Sequence, residues 1–401
     1  MAITDKKKGV WGLDQVYNKE NQGSIWTYSG ALQLKGMGRN NEGQLGQNNT
    51  TQYSSPVQIP GTWDGVLTAN WYSTGSTKSD GTMWAWGKNS DYGQLGLNDR
   101  TNRSSPVQIP GTTWPIVDGK LSFGDDATMA IKTDGTLWMW GNNETYNAGK
   151  LGQNNETNYS SPVQVGSNTT WSAVSGGNRC VSAIKTDGTL WSWGSNSYGL
   201  FGTNQTAAPI GDDGNTTKRS SPVQVPGTTW SKMPYRAYLS RYAIKTDGTL
   251  WAWGNGSWGT LGQNNTTLYS SPVQIPGTTW SKFHVGDART CIAVIKTDNT
   301  LWMWGTNTDG ALGQNQAEAQ LTGASSPIQI PGSWDVISMS YKASQGIKTD
   351  GTLWVWGRNS YGGLGLNNAG NPTRISSPTQ IPGSWTNASG GLQGAFLFEN
   401  A

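Results

Sequence analysis

The sequence predicts an all-β fold, a seven-bladed β-propeller closed by pairing of its N- and C-terminal strands. Three observations lead there. A unit of about fifty residues repeats along the 401-residue chain. Each unit alternates strand-forming runs with turn signals and shows no sustained helical periodicity. The partial units at the two ends add up to one whole.

The repeat is legible in two short cores. W-x-W-G occurs six times, at Trp84/Trp86, Trp138/Trp140, Trp191/Trp193, Trp251/Trp253, Trp302/Trp304 and Trp354/Trp356. S-S-P occurs seven times, with first serines at 54, 104, 160, 220, 270, 325 and 376, in steps of 50 to 60 residues. That period suits propeller blades better than helical repeats of about 33–47 residues. Within a unit, "AIKTDGTLWMWG" places Asp-Gly between two β-prone runs, a hairpin signal that predicts a type I′ turn. In one unit Asp298-Asn299 stands there instead, and Asn tolerates the left-handed conformation. In "LWMW" both tryptophans face one way and Leu and Met the other, so the strand should be covered on both sides. "SSPVQIPG" carries prolines that cannot donate to a ladder, which predicts an edge strand. "GTTWS" then leads back inward. Nineteen of the 23 tryptophans fall at these fixed positions, which makes them core rather than ligand platforms. Trp11, Trp26, Trp71 and Trp258 remain outside the pattern.

The ends complete the ring. Thirteen residues after Trp171 comes Ile184, and thirteen after Trp385 comes Phe398, so the chain runs out at a hairpin tip. At the start, one register sets Ser29-Gly30 at the Asp-Gly position, with Gln33 and Lys35 replacing the two tryptophans. A second register sets Met37-Gly38 at the Trp-Gly position. A closed ring needs such shared completion, because it removes the exposed sheet edge.

Composition narrows the function. The formal charge is +3 and only 13% of residues are charged, so no strong field draws nucleic acid or an anionic membrane. No stretch approaches the ~20 apolar residues of a membrane span. His284 is the sole histidine, which leaves no His-based metal cluster and little scope for a Ser-His dyad; it reads as structural. The adjacent acids Asp125-Asp126 and Asp212-Asp213 read as solvated loop groups. No catalytic, cofactor-binding or metal-binding residues are therefore expected. Cys180 and Cys291 hold equivalent positions two units apart, too far for a disulfide, and should be free and buried.

The stretch "DGTLWMWGNN…G-x-LG" with its second Gly-rich turn resembles the RCC1-type repeat (regulator of chromosome condensation) over about residues 25–401. The resemblance implies a seven-bladed propeller. Guanine-nucleotide exchange on a small GTPase is that family's best-known activity, and it relies on a protruding wedge. Repeat lengths here are even, the largest excess being near "NQTAAPIGDDGNTTKRS", and no functional residue transfers.

Residues 1–24 lie outside the repeat. Val10, Trp11, Leu13, Val16 and Tyr17 recur at three- or four-residue spacing and predict a short amphipathic helix over about residues 13–20, suited to anchoring on a partner or plugging the propeller. "KKKGVWGLDQVYNKENQGSIW" resembles the opening of bacteriophage virion proteins. The resemblance implies a non-enzymatic structural protein of the virion, attached by this segment to other virion proteins, with the propeller turned outward as a fibre or decoration. Such a protein would contact a host receptor or glycan, and a fibre role would bring a homo-oligomer, most simply a trimer. Two alternatives stand beside it. One is an exchange factor or interaction scaffold. The other is a glycan-binding propeller using Trp71 and Trp258, the body tryptophans outside the pattern.

Overall fold

Each Asp-Gly stretch folds as a hairpin tip held by its own side chains. Between the strands Cys180–Lys185 and Leu190–Gly194, the turn is closed by Gly188 N–H to Lys185 O (3.0 Å) and Lys185 N–H to Thr189 O (2.9 Å). The Asp187 carboxylate accepts from the Thr189 amide (2.9 Å) and hydroxyl (2.7 Å), and that hydroxyl accepts from the Trp191 indole (2.9 Å). Only Gly188 has positive φ, at 77°. The predicted hairpin is present, but its turn is not type I′, which needs two such residues. It is a type I-like turn followed by one left-handed residue. The carboxylate, tied forward to Thr189, holds Asp187 out of the left-handed region. Asn299 takes the glycine's place at φ 64°.

The computed structural model describes residues 33–399 except 64–65, 71, 125, 145–148, 178, 206–217, 235–236, 286–290, 317–320, 341, 368–373 and 392–393. Among the described residues there are seven four-stranded antiparallel sheets, and six take their strands in chain order. One blade runs Trp171–Ser175, Cys180–Lys185, Leu190–Gly194, Arg219–Val225. The last of these is the S-S-P strand, at the sheet edge as its proline requires. Ser192 pairs with Val223 and Gly194 with Arg219, so Ser220-Ser221-Pro222 occupy a bulge where no ladder N–H is needed. First strands of neighbouring blades touch around the ring; Trp385–Gly391 contacts both Trp334–Met339 and Leu67–Ala69.

The seventh sheet confirms closure. Its order is Tyr53–Gln58, Gln33–Gly38, Gly394–Glu399, Trp385–Gly391, two strands from each end of the chain. Gly38 pairs with Gly394 and with Tyr53, as Gly87 pairs with Ser73 and Arg103 elsewhere. The second register is therefore the correct one: Lys35 and Met37, not Gln33 and Lys35, stand in the two tryptophan positions. The corner glycine decides it. Gly38 has φ 100°, matching 102° at Gly87, where a Cβ would lie 2.3 Å from the Tyr72 carbonyl oxygen. Ser29 and Gly30 lie outside the described residues.

Blades stack face on face. Leu137 and Met139 of one blade share a fully buried cluster with Trp171, Val181, Ala183 and Trp193 of the next. Within the W-x-W pair the two rings differ: Trp193 is fully buried and Trp191 half-buried. Cys180 and Cys291 open equivalent second strands, and both are buried thiols outside any disulfide, as expected. His284 is buried on the first strand Trp280–Val285.

Candidate functional site

The connections fall on two rims. One carries the Asp-Gly hairpins and the Pro-Gly loops between blades. The other carries the turns between first and second strands and the long loops between third and fourth strands.

On the hairpin rim each blade of the six-fold set holds a lysine between two tryptophans. Lys185 Nζ lies 5.0 Å from the Trp171 ring centre and 4.3 Å from that of Trp191, and Lys78, Lys132, Lys245, Lys296 and Lys348 repeat the arrangement. These cation–π contacts bind the first three strands of a blade together. Sequence reasoning passed over these lysines, although their fixed place two residues before the hairpin aspartate was the signal. In the closing blade the pattern inverts. Glu399 stands where the lysine would be, Lys35 stands where the tryptophan would be, and the two form an ion pair. The six hairpin aspartates (Asp80, Asp134, Asp187, Asp247, Asp298, Asp350) have carboxyls held below the ordinary aspartate range, chiefly by the hydroxyl of the following threonine and then by its amide. Between two blades this rim opens a cleft of about 280 Å³ lined by Trp230, Lys245, Trp251, Pro226 and Pro272.

The loop rim is built by an asparagine and an indole. Asn89 Oδ1 accepts from Leu95 N–H (2.8 Å) while its amide donates to Asp99 O (2.9 Å), which folds the loop back on itself. The carbonyl of Gln94 then accepts from the indole of Trp140 in the next blade (3.0 Å). The same staple recurs as Trp86 to Gln44 O, Trp193 to Lys150 O, Trp253 to Leu200 O, Trp304 to Thr260 O and Trp356 to Ala311 O. So the second tryptophan of each W-x-W is an inter-blade bolt.

One loop position escapes this uniformity. It holds Tyr92, Tyr198, Trp258, Asp309 and Tyr361 in different blades, and at the last four φ is 57–71°. Asp309 turns inward, is almost fully buried, and pairs with Arg374 Nε (2.6 Å) and Lys342 Nζ (3.4 Å) of the next blade. Tyr361 is 41% exposed, with the Arg39 guanidinium 5.9 Å from its ring centre and 5.5 Å from that of Tyr72. Trp258 is 60% exposed.

Of the residues singled out in the sequence, Trp258 is thus not outside the repeat but at a repeated loop position. A single copy carrying Trp had hidden the equivalence. Val10, Trp11, Leu13, Val16, Tyr17 and Trp71 lie outside the described residues, as do Asp125, Asp212 and Asp213. Arg39, Tyr72 and Tyr361 were missed because they meet only across blades. Among the described residues no cluster of three or more His, Cys, Asp or Glu side chains could hold a metal.

A ring of seven blades with staples inside and variable loops on one rim defines a β-propeller that varies at its rim. The regulator of chromosome condensation (RCC1) repeat matches residues 80–131, 134–184, 247–293 and 350–395, and a second description of that repeat matches 120–147. The chain is an RCC1-type repeat propeller. It is 25% identical over 255 residues to the ultraviolet-B receptor UVR8 of Arabidopsis thaliana, covering 62% of this chain and 54% of the receptor, about half its length. Its fold is similar to that of Prp20p from Saccharomyces cerevisiae, with TM-score 0.76, 16% identity, and 95% and 94% of the two chains covered. It is also similar in fold to human WBSCR16, with TM-score 0.73, 19% identity, and 92% and 99% covered.

Proposed function

We propose that the protein is a non-enzymatic display propeller of a bacteriophage particle. Residues 1–24 attach it to other virion proteins, and the loop rim faces outward to contact a host surface. The observation that carries the binding part is the contrast within one rim: the bolts are alike from blade to blade, while one loop position changes from an inward, ion-paired Asp309 to an outward Trp258. Rigid backbone with changeable exposed tips is how scaffolds present binding residues. The virion setting is supported by the K-x-G-V-W opening and the charge-poor, Asn- and Thr-rich composition. Mass spectrometry of purified particles tests it, together with a variant lacking residues 1–24. That variant should fold and stay out of particles; its continued incorporation would sink the attachment role.

A second reading is an RCC1-like protein-interaction scaffold. Prp20p is described together with its binding to Gsp1p and histones, and its fold matches over nearly the whole chain. Accelerated nucleotide release from a small GTPase on adding the purified chain would favour that reading over display.

A further inference from the structure

We propose that Trp258 is a stacking platform for a neutral sugar on the loop rim. The side chain sits in two unfavourable states at once. Its backbone is left-handed at φ 71°, a conformation that a bulky residue rarely adopts, and its ring is 60% exposed. The left-handed backbone belongs to the repeat, being shared by Tyr198, Asp309 and Tyr361, but the bulky exposed ring does not, since Asp309 meets the same backbone need with a short buried side chain. Placing the largest side chain at a position that favours a small one, and leaving it exposed without packing in return, points to a role outside stability. Tyr361, at the equivalent position, is already engaged by Arg39. No hydrogen bond or ring contact within the described residues occupies the Trp258 indole.

The surroundings select the ligand. Residues 248–281 contain no charged side chain, the longest such stretch in the chain. Exposed Ser257, Asn264, Thr266 and Thr267 lie in the same loop, and at Gly256 a Cβ would come 1.9 Å from the Thr267 carbonyl oxygen, so the two sides of the loop run against each other two residues before Trp258. A pyranose offers a flat face of C–H groups to the electron-rich indole and hydroxyls to Asn, Ser and Thr. A protein hot spot would instead set its aromatic anchor in a contiguous, water-excluding patch. Trp258 shares its loop with small polar groups and, among the described residues of that loop, with no second exposed large apolar side chain. An acidic glycan would find no cation in this loop.

This inference deepens the display reading by naming what the rim contacts, and it is tested apart from it. Full-length chain and its Trp258→Asn and Trp258→Tyr variants are applied to a printed array of galactose-, glucose- and N-acetylglucosamine-terminated neutral oligosaccharides and of sialylated ones. Asn suits the left-handed backbone, so its melting temperature should hold or rise. The expected result is binding to at least one neutral glycan, at least tenfold weaker in Trp258→Asn and within about threefold of wild type in Trp258→Tyr. In wild type, that glycan should also shift the Trp258 indole N–H resonance. No neutral binding, binding confined to sialylated glycans, an undiminished Asn variant, or an unmoved indole resonance overturns the proposal. The array uses purified protein, so its failure leaves particle attachment standing, and failed incorporation leaves the array result standing.

Discussion

Replacing Trp253 by Phe should cost far more than replacing Trp251 by Phe, although the two are separated by one residue. Trp253 is fully buried and its indole donates to Leu200 O in the preceding blade at 2.9 Å. Phe removes the donor and leaves a buried carbonyl unpaired, about 1–3 kcal/mol. It also removes roughly 40 Å³ of volume, which at ~24 cal/mol per Å³ of residual cavity adds about 1 kcal/mol. The sum is ~2–4 kcal/mol. Trp251 is half-buried and donates to Thr249 Oγ1 within its own hairpin (2.9 Å), so its exchange should cost about 0.5–1 kcal/mol. About 2.1 cal/mol/K per residue over 401 residues gives an unfolding entropy near ~0.84 kcal/mol/K. Scanning calorimetry should then show the melting temperature falling by roughly 2–5 °C for Trp253→Phe and about 1 °C or less for Trp251→Phe. Equal shifts would refute the idea that the second tryptophan bolts blades together while the first only caps its own.

Three further outcomes follow from the geometry. Lys35→Glu and Glu399→Lys should each destabilise the ring by about 1 kcal/mol, and the double exchange should restore most of the loss, because the pair joins the two ends of the chain; additive losses in denaturant titrations would contradict this. The six hairpin carboxyls titrate below their unfolded value of about 3.9. Their contribution is therefore present above roughly pH 4 and lost as pH falls through the folded values. Melting temperature should be level above that range and drop below it, less steeply in Thr189→Val; an unchanged slope in that variant would remove the Thr189 hydroxyl as the cause. Gly259→Ala should cost more than about 2 kcal/mol, since the new Cβ would lie 2.5 Å from Ser325 Cα, whereas Gly166→Ala meets nothing within 4 Å and should cost about 1 kcal/mol for its left-handed backbone alone. Comparable losses at the two glycines would show that inter-blade contact is not what matters.

Much of the loop rim was hidden in the sequence for one reason. Its members are neighbours through the ring, not along the chain. Trp258 looked like an isolated tryptophan because its equivalents are Tyr198, Asp309 and Tyr361, which share a backbone conformation but not a chemistry. Arg39 meets Tyr72 and Tyr361 from three different blades. The lysines of the hairpin rim were visible as letters at a fixed place, yet their partners are rings on two other strands.

The amino-acid sequence alone determined the number of blades, the order of strands within them, the edge position of the S-S-P strand and the joint completion of the last blade. Those properties are local or periodic: proline cannot donate, Asp-Gly turns, and side chains alternate every two residues. Tertiary structure alone decided the register of the first strand, because Gly38 is set by pairing with Gly394, more than 350 residues away. It also decided which tryptophan of each pair is buried and what the escaped loop position does with its side chain. Both depend on where the next blade stands, and a chain carries that information only after the ring has closed.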